Sequence, residues 1–246
     1  MALYRDEAIV LRTHKLRDDD RIITMLTRHH GKVRAVAKGV RKTKSRFGSR
    51  LEPFTHVDLQ LATGRDLDVV TQAEMLGPYG SAIAADYSRY TSGSTMLEVA
   101  DRLSAEEREP ATQQYLLLRN AVRALATERY PTDLVMDAYL LRAMAIGGFS
   151  PSFAVCARCG APGPHAWFSV PSGGMVCRDC RVPGSTSPSP DTVTLLAALL
   201  SADWAAALTS SASARTEARG LVAAYVPWHL DRGLRSMRHV DRQGVG

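Results

Sequence analysis

Along the first third of the chain, apolar positions recur at the short intervals of β-strands. Ala8-Ile9-Val10-Leu11 is a compact apolar run followed by a polar turn at Asp18, Asp19 and Asp20. Ile22 to Leu26 forms a second run, and His29-His30-Gly31 makes the next turn. Val33, Ala35 and Ala37 alternate with Arg34, Val36 and Lys38, as in a half-buried strand with Arg34 and Lys38 on one face. The following stretch, GVRKTKSRFGSR, has no periodicity and reads as a loop. Val57, Leu59 and Leu61 alternate with Asp58 and Gln60, giving a fourth strand. After a turn at Thr63-Gly64-Arg65, Leu67, Val69 and Thr71 alternate with Asp68, Val70 and Gln72, giving a fifth. Five short strands joined by tight turns predict a small closed or partly open barrel. An OB-fold and an SH3-like barrel both satisfy this pattern. The OB-fold is a common surface for single-stranded nucleic acid.

The period changes after Pro78, where helical spacing begins. Pro110 opens a helix containing Tyr115, Leu116, Leu118, Val122 and Leu125. Thr132 or Asp133 caps another, in which Leu134, Ala138, Leu141 and Ala145 form an amphipathic stripe that ends at Gly147-Gly148. Residues 150–190 are irregular and proline-rich, and Pro183 to Pro190 reads as an exposed linker. Helical pattern resumes from Asp191, a candidate cap for Leu195 to Leu208, and ends in a helix from about Ala214 to Met237, interrupted near Pro227. The expected fold class is α+β. A five-stranded barrel domain spans 1–79, and a helical domain spans 80–246 with a cysteine module inserted at about 153–183.

Composition narrows the classes. The 246 residues are 45% hydrophobic and 23% charged, which excludes disorder throughout. The apolar stretches Leu195 to Leu200 and Trp204 to Leu208 are short and are separated by Ser201 and Asp203, which argues against a membrane span. Arg5, Asp6 and Glu7 stand where a signal peptide needs an apolar core, so a cytoplasmic protein is expected.

Charge is concentrated in one place. From Lys32 to Arg50 lie eight basic residues (Lys32, Arg34, Lys38, Arg41, Lys42, Lys44, Arg46 and Arg50) and no acid. Without that segment the net charge of +6 falls to −2. A mildly acidic body bearing one dense basic element suits a polyanion partner. DNA, RNA and acidic lipid all remain open on charge alone.

All four cysteines occupy one window. Cys156-Ala-Arg-Cys159 and Cys177-Arg-Asp-Cys180 are separated by 17 residues, a C-x2-C-x17-C-x2-C pattern. Each pair on a tight turn directs two thiolates to one point, and zinc accepts four such ligands tetrahedrally. Four thiolates close the coordination shell, so one structural zinc ion is expected and no catalytic one. The competing readings fit less well. A thioredoxin-type redox pair needs a single C-x-x-C beside a βαβ pattern, and cytoplasmic disulfides are rare. His165, between the pairs, reads as a loop residue.

No phosphate-binding loop, nucleophile elbow, zinc-protease motif or dinucleotide fingerprint is present. The three consecutive aspartates read as a solvated turn, and His29 and His30 have no evident partner. The chain is therefore not expected to be an enzyme.

The run LRDDDRIITMLTRHHGKVRAVAKGVRKTKSRFGSRLEPF resembles the N-terminal signature of the bacterial RecO family of DNA repair proteins. The resemblance is carried by Asp20, Leu26-Thr27, Gly31, Val36-Ala37-Lys38-Gly39, Arg41 to Ser45 and Leu51-Glu52-Pro53-Phe54. It extends more loosely over the helical region, the cysteine pairs and a closing helix with His229, Leu230 and Arg232. It implies an N-terminal OB-fold, a helical domain and, with all four cysteines present, a zinc-containing member. It also implies binding to single- and double-stranded DNA and annealing of complementary strands. Implied partners are RecR, the acidic C-terminal tail of single-strand-binding protein and, indirectly, the RecA recombinase. The implied location is the nucleoid.

Joined to the residue chemistry, this assigns Arg34 and Lys38 to a DNA-binding barrel face. Arg41, Lys42, Lys44, Arg46 and Arg50 form a basic loop beside it. Phe47 is either a base-stacking ring or a buried anchor. Arg232, Arg235 and Arg238 either extend the DNA surface or stabilise a helix end. Arg119, Arg123, Arg129 and Arg142 are candidates for the rim of a pocket for an acidic tail. The alternatives from other classes are an RNA-binding or ribosome-associated OB protein with a zinc ribbon, a zinc hydrolase or nuclease, and an adaptor that contacts only protein.

Overall fold

The structure is a computed structural model, and it describes residues 2–230 except positions 17, 43, 44, 46 and 105. Five strands form a closed barrel: β1 (Leu3–Lys15), β2 (Arg21–Thr27), β3 (Lys32–Ala37), β4 (His56–Ala62) and β5 (Asp68–Gly77), in the order β1-β2-β3-β5-β4. All neighbours are antiparallel except β3 and β5, which run parallel. This is the OB arrangement, and the SH3-like alternative falls away.

The second and fourth strands lie where the apolar run and the alternation put them, whereas the fifth continues to Gly77 and buries Asp68 and Val70 rather than the expected Val69 and Thr71. The first is far longer than the apolar run Ala8 to Leu11, because β1 serves two partners. Leu3 to Ile9 pairs with β4, Ala8 to Lys15 pairs with β2, and the register shifts between Val10 and Arg12. Only the shared middle is buried on both sides, so only that part looks apolar in the sequence. Lys38 lies in the turn after β3 and not in the strand, so it does not share a strand face with Arg34 as expected.

The basic segment is not a plain loop. Gly48–Leu51 forms a 3-10 turn. Val40, Phe47 and Leu51 enter the barrel core beside Val10, Met25, Leu59 and Leu61. Phe47 is 1% exposed and is therefore the buried anchor of the two readings. Burying a side chain of this size stabilises by roughly 2 kcal/mol, enough to tether the polar residues on either side of it.

The chain divides into two compact units, residues 1–129 and 130–246. In the first, α1 (Tyr79–Ala84), α2 (Tyr87–Leu103) and α3 (Thr112–Ala126) join the barrel. The Asp86 carboxylate caps α2 by accepting the Arg89 N–H at 2.8 Å. The α2–α3 connection runs along the start of β3, where Lys32 bridges to Glu107. Gly31 turns into that strand with φ +62°, and a Cβ there would stand 1.7 Å from the Glu109 carbonyl oxygen. Only glycine fits.

The second unit holds α4 (Thr132–Ile146), a hairpin of β6 (Trp167–Ser169) and β7 (Gly174–Val176), and α5 (Pro190–Ser201), α6 (Trp204–Leu208) and α7 (Ala212–His229). Helices α4, α5 and α7 pack on one another. The expected stripe on α4 is in fact a continuous buried run from Leu134 to Leu141. Pro131, not Thr132 or Asp133, holds its N-cap position without a side-chain bond, and the Asp133 carboxylate instead accepts Arg219 at 3.0 Å. Ser189, not Asp191, caps α5. The expected helix to Leu208 is broken at Ala202 (φ +60°), and Asp203 caps α6 anew. The Pro183 to Pro190 stretch is less free than a linker. Thr186 exchanges both backbone hydrogen bonds with Phe168, at 2.8 and 2.9 Å, and Pro188 is buried. The last helix begins at Ala212 with Ser211 as its cap and contains Pro227. The expected extension to Met237 lies outside the described residues. Among the described residues no helix is long and apolar enough to cross a membrane.

Asp137 on α4 is fully buried, and its Oδ1 has no hydrogen-bond partner. Burial pushes its carboxyl up to about 7, against the opposing pull of Arg219. A raised carboxyl pKa makes the folded state less stable as pH rises through the window between the ordinary carboxylate value and about 7. Asp137→Asn is therefore expected to melt at a higher temperature than the wild type at pH 8 and to match it near pH 4. Thermal melts at the two pH values check this.

Candidate metal centre and nucleic-acid interface

The four cysteine sulfurs lie within 4.8 Å of one another. Two turns and the hairpin place them. The Cys156 N–H donates to the Ala161 carbonyl at 2.8 Å, and the Gly160 N–H closes the first turn on the Cys156 carbonyl at 2.9 Å. The Ala157 N–H reaches the Met175 carbonyl at 2.7 Å, which ties this turn to β7. Cys177 directly follows β7, and the Cys180 N–H returns to the Cys177 carbonyl at 3.2 Å. Gly174 (φ +148°) lets the hairpin approach Ser152, whose carbonyl oxygen would lie 2.3 Å from any Cβ there.

None of the cysteines is in a disulfide, and the Cys159 and Cys177 sulfurs are 3.8 Å apart. A tetrahedral ion with bonds of ~2.3 Å to sulfur requires edges of about 3.8 Å, so the donor set fits zinc-like coordination. The Cys177 N–H donates to the Cys156 sulfur at 3.4 Å and holds that thiol down to about 5. Cys180, facing the sulfurs of Cys177 and Cys159, is pushed up to about 12. Four sulfurs this close cannot all ionise unless a cation is shared between them. His165 stands apart from the cluster and hydrogen-bonds the Ala161 carbonyl at 2.9 Å.

The basic element is held by acceptors from its own chain. Arg34 on β3 pairs with Glu107 at 3.2 Å. The Arg41 guanidinium donates to the Asp18 carbonyl at 2.8 Å, and Lys42 lies 3.7 Å from the Asp19 carboxylate. Asp20 accepts the Gly39 N–H at 2.8 Å. The Asp20 carboxylate thus fixes the turn that starts the basic segment, while the Asp18 and Asp19 carboxylates are exposed, as a solvated turn predicts. Arg50 is half-buried and donates to the Phe47 carbonyl at 3.3 Å. Lys38, Arg41 and Lys42 are exposed. Lys32, counted in the basic run, is instead a buried structural cation bound to Asp101 at 3.2 Å. Lys44, Arg46, Arg232, Arg235 and Arg238 lie outside the described residues.

The arginines expected at a partner pocket fall in different units. Arg119 and Arg123 are on α3 and Arg129 follows it, whereas Arg142 is on α4. Arg119 sits 5.9 Å from the centre of the Tyr115 ring, and Arg123 is exposed.

Three polar networks around the barrel have no sequence signal. Asp6 is 3% exposed and accepts the backbone N–H groups of His29 and His30 at 3.0 and 3.2 Å. It also meets their ring Nδ1 atoms, at 2.9 and 2.7 Å. Burial raises its pKa, but the bonds from His30 and His29 outweigh burial and hold it below the usual carboxylate value. The histidine pair, expected to lack a partner, shares this one. Asp68, equally buried, accepts the Tyr4 hydroxyl at 2.5 Å and Arg108 at 2.7 Å. Glu7 accepts the Tyr115 hydroxyl at 3.0 Å, and that hydroxyl lies 3.0 Å from His56. Burial lowers the His56 pKa.

A closed OB barrel with a clamped basic segment, followed by a helical unit with a four-cysteine cluster, defines an OB-fold protein with a metal-binding module. Residues 1–79 match the family described as Recombination protein O N terminal, and residues 84–238 match Recombination protein O C terminal. The chain is 61% identical over 243 residues to the DNA repair protein RecO of a Nocardioides species, covering 98% of this chain and all of that one. It is 56% identical to the protein of the same name from Streptomyces griseus and 55% identical to that from Thermobifida fusca, again over 98% of this chain and all of each relative. The chain belongs to the RecO (recombination protein O) family.

Proposed function

We propose that the protein acts in DNA repair and homologous recombination without being an enzyme. In this reading it binds single- and double-stranded DNA, anneals complementary strands and works with RecR to load RecA onto DNA covered by single-strand-binding protein. Family membership supports the repair and recombination role. The observation that carries DNA contact is the basic segment between β3 and β4, anchored in an OB barrel by Phe47 and Leu51. Its exposed cations are Lys38, Arg41 and Lys42, and Arg34 on β3 is half-buried.

The chemistry is electrostatic. Two strands repel each other, and cations on a fixed scaffold lower that repulsion while releasing counterions, without reading sequence. The ion pairs with Glu107 and Asp19 are exposed and weak, about 0–1 kcal/mol each, so phosphates can replace the carboxylates. Zinc held by Cys156, Cys159, Cys177 and Cys180 would supply a structural cross-link. With all four sulfurs as its ligands, such an ion would have no position left for a substrate or an activated water. The acidic tail of single-strand-binding protein is assigned to the helical region, with Arg119, Arg123 and Arg129 in the first unit, or Arg142 in the second, as the alternative rim candidates.

Replacing Arg41, Lys42 and Lys44 together with alanine is expected to weaken single-stranded DNA binding roughly tenfold or more, alike for all sequences, and to slow annealing. Fluorescence anisotropy with two oligonucleotides of unrelated sequence checks this. Unchanged affinity at moderate salt would place the DNA site elsewhere, and tighter binding to RNA of equal sequence would favour an RNA partner.

A further inference from the structure

We propose that the cysteine module bears a second surface for single-stranded nucleic acid, built from Arg158, Arg178, Arg181 and Trp167. The proposal rests on the DNA-binding reading above and adds a contact that the OB barrel does not supply.

Between residues 150 and 190 the chain has three arginines, no lysine and a single acid, Asp179. Each arginine adjoins a cysteine of the cluster: Arg158 precedes Cys159, Arg178 follows Cys177, and Arg181 follows Cys180. The sulfurs converge within 4.8 Å, so the three side chains originate around one point, and all three are exposed. Among the described residues, none of these guanidinium groups forms an ion pair, with Asp179 or with any other acid. The barrel cations differ, since Arg34 and Lys42 are already paired with carboxylates and Arg41 with a carbonyl.

Arg181 adds geometry to charge. Its guanidinium lies 3.7 Å from the centre of the Trp167 ring, stacked on a half-buried indole. Stacking pre-orients the planar fork for bidentate contact with a phosphate. It also offers a flat cationic face that a nucleobase can cover. A carboxylate of an acidic peptide would use the charge but not the face, which favours nucleic acid as the occupant.

The test uses the full chain with one zinc per molecule verified and a fluorescein-labelled oligothymidylate as probe. Replacing Arg158, Arg178 and Arg181 with glutamine should lower affinity about tenfold at moderate salt and make the salt slope shallower by about 2, with zinc content retained. Arg181→Lys keeps the charge and loses the stacked fork. It should weaken binding several-fold without changing the slope, and wild-type affinity in that variant would overturn the stacking role. Wild-type affinity in the triple variant would overturn the proposal. So would loss of zinc without loss of DNA affinity, because the arginines would then only balance the thiolate charge. A glutamate-rich peptide that binds the wild type, but not the triple variant, while oligothymidylate binds both equally, would make this a peptide site. If the wild type itself fails to bind oligothymidylate, the broader DNA reading fails. If it binds, and only the barrel-loop variant is weakened, the second surface alone is wrong.

Discussion

Replacing Cys156 or Cys177 with serine is expected to release zinc and unfold the segment around it while the barrel stays folded. Apart from the cysteines the module is held by a few buried residues, Phe168, Met175 and Val176, and by the His229 contact to the Val170 carbonyl at 3.0 Å. Its β-strands are three residues each, and it owes its shape to two cysteine turns and a short hairpin. Apparent zinc-binding energies in small four-ligand modules reach about 10–16 kcal/mol at neutral pH, and that energy is also folding energy. Few single substitutions elsewhere approach that scale. The barrel has its own core, from Ala8 to Val70. The expected outcome is zinc content falling from one per chain to near zero. Amide protection should be lost over residues 150–189 and kept in β1 to β5. His165→Ala is the internal control, because that ring bonds a carbonyl and stands outside the sulfur cluster, so zinc should be retained. A serine variant with stoichiometric zinc and unchanged melting would defeat the four-thiolate assignment.

Asp6→Asn should be the most costly polar substitution in the barrel. The carboxylate is enclosed and accepts from two backbone N–H groups and two imidazoles. An amide presents a donor to some of those donors, leaving at least one buried bond broken, at a cost of roughly 2–4 kcal/mol. The pH dependence follows from the direction of the shift. The pKa of Asp6 is lower in the folded state than in the unfolded one. Its stabilisation is therefore complete above the ordinary carboxylate value and is lost as pH falls through the lower folded value. The wild type should lose stability in acid over that window, and Asp6→Asn should lose less. Urea melts between pH 2 and pH 7 provide the comparison. Equal stability at neutral pH would mean that the histidine pair does not depend on this carboxylate.

Some features of the fold were readable because they depend on local pattern. β3 and β4 alternate with one buried face, and the alternation survives translation into sequence. The cysteine spacing is a local constraint as well, since each pair lies on its own turn. β1 was underestimated because a strand shared by two partners across a bulge alternates in no single phase. The single helix expected from Leu195 to Leu208 hid a break at Ala202, a left-handed cap in a residue that gives no such signal.

The candidate site divides in the same way. The density of positive charge between Lys32 and Arg50 was legible, but its neutralisation was not. Glu107 lies 73 residues from Arg34, and Asp101 lies 69 from Lys32. Such pairs are set by the barrel closing against α2 and the connection after it. Phe47 shows the same limit. A phenylalanine among cations suits stacking or anchoring equally, and only the core around it decides.

Binding of nucleic-acid backbone by the basic segment on the barrel is tested by single-stranded DNA affinity as a function of salt on zinc-verified protein. For Z neutralised phosphates the logarithm of affinity should fall against log salt with a slope of about −0.7Z. The expected slope is roughly −2 to −4, corresponding to about three to six contacts, and becomes shallower when Arg41, Lys42 and Lys44 are replaced. A flat response, or a slope that the loop substitutions leave unchanged, would contradict it.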